Sequence, residues 1–290
     1  MTEKIRVHPG FYFLMLFFSA VFVMNHAVDD WGRAANGLDN LKTFFYQSLW
    51  PPDWSVFKPR AYPQCEAPEW LEVTCSTAWI GMTETLQIAF VSTVFGMTFS
   101  LPLALLAARN ISPLAVSTFA RLLLASLRSL PSLIWAIFFV ILIGMGPVSG
   151  IFAMTVYTVG YLGKLQYEAI EGMNNTPLEA ADAAGLSGVD KALNIVIPES
   201  ANDLISQAIF MFEYNVRHGT VIGIVGAGGI GYYIDLYLGF LVYDRVLAYL
   251  ILIFATVLVI DAASVYIRSF FNDERSQKRP TWLGVFLPGQ

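Results

Sequence analysis

Four polar side chains, Glu213, Asn215, Arg217 and His218, fall within six positions of an otherwise apolar stretch. A guanidinium can hold an oxyanion and a carboxylate can neutralise it, and ionisable groups inside an apolar span are functional candidates. Glu213 and Arg217 stand four residues apart and so share one helical face. That spacing leaves two roles open for Arg217, an ion pair that lets both charges be buried or direct contact with a substrate anion. A second polar set, Arg128, Ser129 and Ser132, flanks Pro131, where a kinked helix exposes backbone groups that can line a cavity. Arg128 could equally extend to a membrane interface. Downstream, GIVGAGGIGYY places Gly226, Gly228 and Gly231 in the spacing G-x-G-x-x-G, after the β-branched run Thr220-Val221-Ile222. In a dinucleotide site those glycines need a preceding strand, a following helix and an acidic residue about 20 positions on. Asp244 lies near that distance, so the surrounding elements must decide.

Those elements are membrane spans. The chain has 290 residues, is 56% hydrophobic and only 13% charged, with a mean hydropathy of +0.57. Soluble domains carry roughly 25% charged residues. Six apolar stretches approach the length of about 17–25 residues that crosses the hydrocarbon: 11–28, 83–107, 122–145 with a kink at Pro131, 148–163, 204–225 and 246–267. The first is expected to be a retained anchor helix, since no small-x-small cleavage site follows it. The glycine motif then opens at the outer end of a span and leads into an external turn, so the dinucleotide reading fails on context. Its glycines, including Gly229, become candidates for a gate or hinge that allows tight turns and close backbone approach.

Cations set the orientation. With the N-terminus inside, Lys4, Arg6, Arg109, Arg121, Arg128, Lys164, Lys191, Arg268, Arg275, Lys278 and Arg279 are cytoplasmic, against Arg33, Lys42, Lys58, Arg60 and Arg245 outside. Six spans return the C-terminus to the cytoplasm. The net charge of -5 and the lack of a basic stripe exclude a nucleic-acid partner. The resulting organisation is a cytoplasmic start and first span (1–28), an external segment (29–80), a five-helix core (81–270) and a cytoplasmic tail (271–290).

The external segment holds five of the seven tryptophans, which favour the headgroup level. Leu38, Leu41, Phe44, Phe45, Ser48 and Leu49 approximate one helical face, ended by Pro51-Pro52, which predicts an interfacial helix resting on lipid. Both cysteines, Cys65 and Cys75, lie in this segment, where a disulfide persists; two free thiols are the other reading. His8, His26 and His218 are scattered over different segments, so no metal site can be assembled.

Between the fourth and fifth spans lies NNTPLEAADAAGLSGVDKALNIVIPES, residues 174–200. Thr176, Pro177 and Glu179 read as N-cap, N1 and N3 of a short helix, and Gly185 as its left-handed end. Ser187 with Asp190 offers a second start, and Pro198 opens the next element. Glu179-Ala180-Ala181, then Gly185, then Ile195-x-Ile197-Pro198 resembles the EAA loop of ABC importer permeases, with Ile197 in the leucine position. The resemblance implies an all-α type I importer permease whose short cytoplasmic coupling helix contacts the ATP-binding subunit through Glu179, Ala180, Ala181 and Gly185. No G-x-x-x-x-G-K-[ST] occurs in this chain, so ATP and Mg2+ belong to a separate ATPase and no cofactor is expected here.

LWPPDWS (49–55), RSLPSLIWAIFF (128–139), YLGKLQYEAIE (161–171) and EYNVRHGTVIGIVGAGGIG (213–231) together resemble the phosphonate-type permeases. That implies import of a phosphonate, phosphite or hypophosphite across a bacterial inner membrane. The implied partners are ABC ATPases, an external phosphonate- or phosphite-binding protein and a second permease, expected to be an identical copy. The glycine loop would then lie at the gate, near the docked receptor. Two rival classes remain. An ion-coupled secondary transporter of a small anion could use Glu213, Arg217 and Asp261 as a relay, with no ATPase. A membrane enzyme would need a nucleophile-base or metal constellation, and none is visible.

Overall fold

The computed structural model describes residues 9–28, 31–32, 36–60, 65 and 68–271. The cations at 4, 6, 33, 275, 278 and 279, His8 and all of the tail beyond 271 lie outside the described residues. The chain forms two units, Met1–Pro51 and Pro52–Gln290.

In the first unit, α1 (Pro9–Ala27) is apolar on all sides and its side chains are exposed along its length, as suits a helix whose solvent is lipid. α2 (Gly37–Phe44) runs on through a π-turn, Phe45–Leu49, and stops at Trp50, whose backbone is extended before Pro51. Leu38, Leu41, Phe44 and Phe45 are exposed, leaving an apolar stripe for an interface.

The second unit is a bundle. α3 (Thr77–Ala107) starts earlier than residue 83 because the Ser76 hydroxyl caps Trp79 N at 3.1 Å. Within it, the Thr83 and Thr85 hydroxyls are satisfied by donating to the carbonyls of Trp79 and Gly81, each at 2.8 Å. α4 (Leu114–Ser129) and α5 (Ser132–Ile143) follow, then α6 (Pro147–Gly172), which lies along α3 with α4, α5 and α9 on its other sides. The 122–145 stretch is therefore two helices with a sharp break at Pro131, and as a bent pair they can still make one span. α4 and α5 meet at 81°, because Pro131 offers no N–H and holds Leu130 extended at φ -97°, ψ 137°.

Next come α7 (Thr176–Ala183) and α8 (Gly188–Lys191). A π-turn, Ala192–Val196, joins α8 directly to α9 (Ile197–Ile222), which opens with Pro198 in its first turn as expected. The widened turn accommodates a residue that cannot donate to the preceding turn. α10 (Ile230–Gly239) is a helix where an external turn was expected, bent by 42° from the preceding run, and α11 (Tyr243–Arg268) closes the bundle.

By length and composition α1, α3 and α11 can cross a membrane, and each bent pair can supply one further span. α6, with 26 residues, is rich in Gly, Ser, Thr and Tyr because it is packed on most sides by protein rather than lipid. Small residues set that packing: Gly96 leaves no room for a Cβ against Thr158, and a Cβ at Gly163 would stand 2.6 Å from Leu124 Cδ2. Among the described residues no β-strand is present; the one isolated bridge pairs Pro59 with Ser76.

Candidate functional site

Polar machinery sits at three levels of the second unit. At the first, α7 buries Leu178 in a cluster with Ala104, Ala107, Leu124, Val159, Ile170 and Val196, and Ala181 is buried as well. Glu179, Ala180 and Gly185 are exposed, so of the four EAA residues Ala181 faces the body. The expected Thr176 cap is not formed. The Asn174 side-chain oxygen Oδ1 accepts from Thr176 N at 3.0 Å and from the Thr176 hydroxyl at 2.9 Å, a local turn that occupies the hydroxyl. Gly185 does end the helix, at φ +71°, with Leu186 N donating to Ala181 O at 3.1 Å. Ser187 accepts from Asp190 N at 3.2 Å, and Lys191 pairs with Asp182.

Beneath this loop, Glu171 at the end of α6 pairs with Arg121 of α4 and accepts from Arg109 N at 2.6 Å. Arg121 also donates to Ala107 O at 2.9 Å and lies 4.5 Å over the Tyr167 ring. One carboxylate thus ties the ends of α3, α4 and α6 together directly before α7. Sequence reading did not single out Glu171, Arg121 or Tyr167. Glu171 and Tyr167 lie within the YLGKLQYEAIE stretch, which was the available signal.

At the middle level, α9 carries the polar cluster, and helical rotation sends its members to different neighbours. Arg217 pairs with Glu213 and with Asp261 of α11 at 2.6 Å, while Arg268 approaches Glu213 at 3.5 Å. Two guanidiniums therefore face two carboxylates. Asn215 is fully buried and donates to Thr93 Oγ1 of α3 at 2.9 Å and Thr158 Oγ1 of α6 at 3.0 Å. His218 stacks on Tyr214, with ring centroids 3.8 Å apart. Arg128, Ser129 and Ser132 lie at the α4–α5 break; Ser129 donates to Ser126 O at 2.7 Å, Ser132 is buried and Arg128 is half-buried. Among the described residues no hydrogen bond joins this set to the α9 cluster.

At the third level is the glycine turn. A helix, not a strand, precedes it, which removes the dinucleotide geometry. Gly226, Gly228 and Gly229 have φ of +84°, +82° and +78°, while Gly231 lies inside α10. The turn is held from α3: Gly229 N donates to Glu84 Oε2 at 2.8 Å, and Ile230 N to Thr85 Oγ1 at 2.9 Å. Gly146 N, ahead of α6, donates to Gly226 O at 2.9 Å. A Cβ at Gly231 would overlap the Thr220 carbonyl oxygen. Glu84 and Thr85 escaped sequence reading because their partners lie some 145 residues away.

Beside this turn, Asp53 pairs with Arg245 of α11 at 2.9 Å and accepts from Ser55 N and Oγ at 2.8 and 2.7 Å. The Ser55 hydrogen bonds, then Arg245, lower the Asp53 pKa from its ordinary 3.8 to about 2. Cys65 and Cys75 are disulfide-bonded, with Cα atoms 5.6 Å apart. Among the described residues no three His, Cys, Asp or Glu side chains converge as metal ligands.

Residues 100–271 match the family described as binding-protein-dependent transport system inner membrane component. The chain is 37% identical over 239 residues to the phosphite transport system permease protein PtxC of Stutzerimonas stutzeri, spanning 82% of this chain and 80% of that protein. It is 35% identical over 201 residues to the putative phosphite transport system permease protein HtxC of the same organism, spanning 68% and 70% respectively. In fold it resembles the MetNI methionine ABC transporter in an inward-facing conformation, with a TM-score of 0.60 and 24% identity over 72% of this chain and 100% of that chain. These similarities favour the ABC importer over the ion-coupled transporter. The chain belongs to the family of binding-protein-dependent transport system inner membrane components and is the permease part of an ABC transport system.

Proposed function

We propose that this chain forms the membrane path of an ATP-driven importer for a small phosphorus oxyanion: phosphite, hypophosphite or a phosphonate. The observation that carries this reading is the 37% identity over 239 residues to a phosphite permease. In support, the EAA-type α7 turns Glu179, Ala180 and Gly185 outward, where an ATPase can meet them. Two permeases, two ATPases and an external receptor make up the working assembly, the second permease being another copy of this chain. ATP and Mg2+ act in the ATPase. Both termini and α7 lie in the cytoplasm, and residues 29–80 lie outside.

Transport follows from how the levels connect. ATPase closure moves α7; because Leu178 is packed into the cluster shared by α3, α4, α6 and the π-turn that leads into α9, that motion reaches the bundle as a unit. At the other end, the positive-φ glycines between α9 and α10 give the chain a hinge that Glu84 and Thr85 hold in one position. Arg217 serves in this scheme as a neutral clamp between α9 and α11, since its charge is already balanced.

Copurification with the cognate ATPase tests the reading. A stable complex is expected with wild-type chain, and its loss with Glu179→Lys or Gly185→Val. The absence of any ATPase complex with the wild-type chain would overturn the assignment.

A further inference from the structure

α9 presents three polar sectors that differ in charge and in their partners. The Glu213–Arg217 sector is charge-balanced by Asp261 and Arg268. The Asn215 sector is fully buried and bonded to Thr93 and Thr158. The third sector carries Tyr214 and His218, which stack with Tyr157 and Tyr161 of α6. Centroid separations within this stack run from 3.8 Å for Tyr214 and His218 to 6.4 Å for Tyr157 and His218. All four side chains are half-buried.

The Tyr157 and Tyr214 hydroxyls lie 2.8 Å apart, and that hydrogen bond consumes one of their two protons. The other proton is available to an anionic oxygen. His218 Nδ1 lies 3.2 Å from the Tyr214 carbonyl oxygen, which can only accept, so Nδ1 carries a proton and, in the neutral imidazole, Nε2 keeps a lone pair. The stack therefore offers two donors, the spare Tyr157–Tyr214 proton and the Tyr161 hydroxyl, and one acceptor on rings held in place by their neighbours. A tetrahedral oxyanion with one protonated oxygen presents the complement, a P–O− to accept and a P–OH to donate.

We propose that the Tyr157, Tyr161, Tyr214 and His218 stack is a contact site for the transported phosphorus oxyanion on its way through the bundle. The inference rests on the importer reading above. A contact made by uncharged groups suits a transit site, which must admit the anion yet release it. A neighbouring helix packs closely here: Gly160 lies between the two α6 tyrosines in sequence, and a Cβ there would stand 2.8 Å from the backbone N of Arg128. The end of α4 that carries Arg128 thus runs directly beside the stack.

The test uses the full chain with its ATPase in proteoliposomes, with cognate receptor and radiolabelled phosphite. Tyr157→Phe/Tyr214→Phe keeps the rings and removes the hydroxyls; His218→Phe removes the acceptor, and His218→Gln restores a polar group. Phosphite taken up per ATP hydrolysed is expected to fall about tenfold in the first two variants, the factor for one lost hydrogen bond to an ion. Gln at 218 is expected to recover part of it. The receptor concentration that half-maximally stimulates ATP hydrolysis is expected to stay unchanged, because docking lies elsewhere. Uptake per ATP within twofold of wild type in both the double Phe variant and His218→Phe would overturn the proposal and leave the stack as packing. If wild-type chain assembles with its ATPase but carries no phosphite, phosphonate or hypophosphite, the importer reading of substrate fails and this site fails with it.

Discussion

Replacing Arg217 by alanine separates a structural charge from a transporting one. The substitution removes a hydrogen-bonded ion pair to Asp261 at 2.6 Å and the pair to Glu213, leaving Glu213, 9% exposed, with Arg268 at 3.5 Å. Hydrogen bonds to charged groups contribute about 1.5–3 kcal/mol each. The Arg217 side chain is 42% exposed and Asp261 39%, so water reclaims part of that loss and the expected cost is about 2 kcal/mol. For a chain of this size that is a fall on the order of 5 °C in Tm, read in detergent by thermal unfolding. Removing the stranded carboxylate as well, in Arg217→Ala/Glu213→Gln, should recover more than half of the loss and restore uptake. The coupling energy of that double-mutant cycle isolates the pair. An Arg217→Ala protein of wild-type Tm that carries nothing, with no rescue in the double variant, would refute the clamp and return Arg217 to the substrate.

Three further outcomes follow from the geometry. Gly231→Ala meets the Thr220 carbonyl oxygen, a backbone atom that cannot move aside, and should cost about 3 kcal/mol; an unchanged Tm would show that the turn is looser than described. Gly185→Ala, at φ +71°, should cost about 1 kcal/mol and loosen ATPase binding, measured by the affinity of the complex. Asp53 has a folded pKa of about 2, depressed below its ordinary 3.8, so its contribution to stability is full above about pH 4 and lost as pH falls towards 2. Asp53→Asn should therefore flatten the dependence of Tm on pH across that interval, and an unaltered profile would contradict the Ser55 and Arg245 contacts.

Local chemistry explains what could be read from the chain alone. Gly185 ends α7 because few other residues accept its φ, and Pro51 stops α2 because it fixes the residue before it; both are properties of single residues. The EAA spacing was legible for the same reason. The Pro131 break was visible, but its 81° angle was not, since it depends on how α4 and α5 pack against α6. The Thr176 cap failed because Asn174, two residues earlier, offers a competing acceptor. Glu213 with Arg217 follows from helical spacing, whereas Asp261 joins them only through the packing of α11 on α9. The Tyr157–Tyr214 contact, the Glu84 bond to the glycine turn and the Glu171 tie join residues 50 or more positions apart through a shared polar atom. Patterns of hydrophobicity carry no information on such pairings. Ala181 shows the reverse limit: the motif marks it as part of the loop, but only packing shows that it faces inward.

The central claim is tested most directly by phosphite uptake into proteoliposomes holding this chain and its ATPase, with receptor supplied on the opposite side from ATP. Accumulation that requires both receptor and ATP is predicted, with none when ATP is replaced by a non-hydrolysable analogue. Uptake that continues without ATP, driven by an ion gradient, would contradict the account.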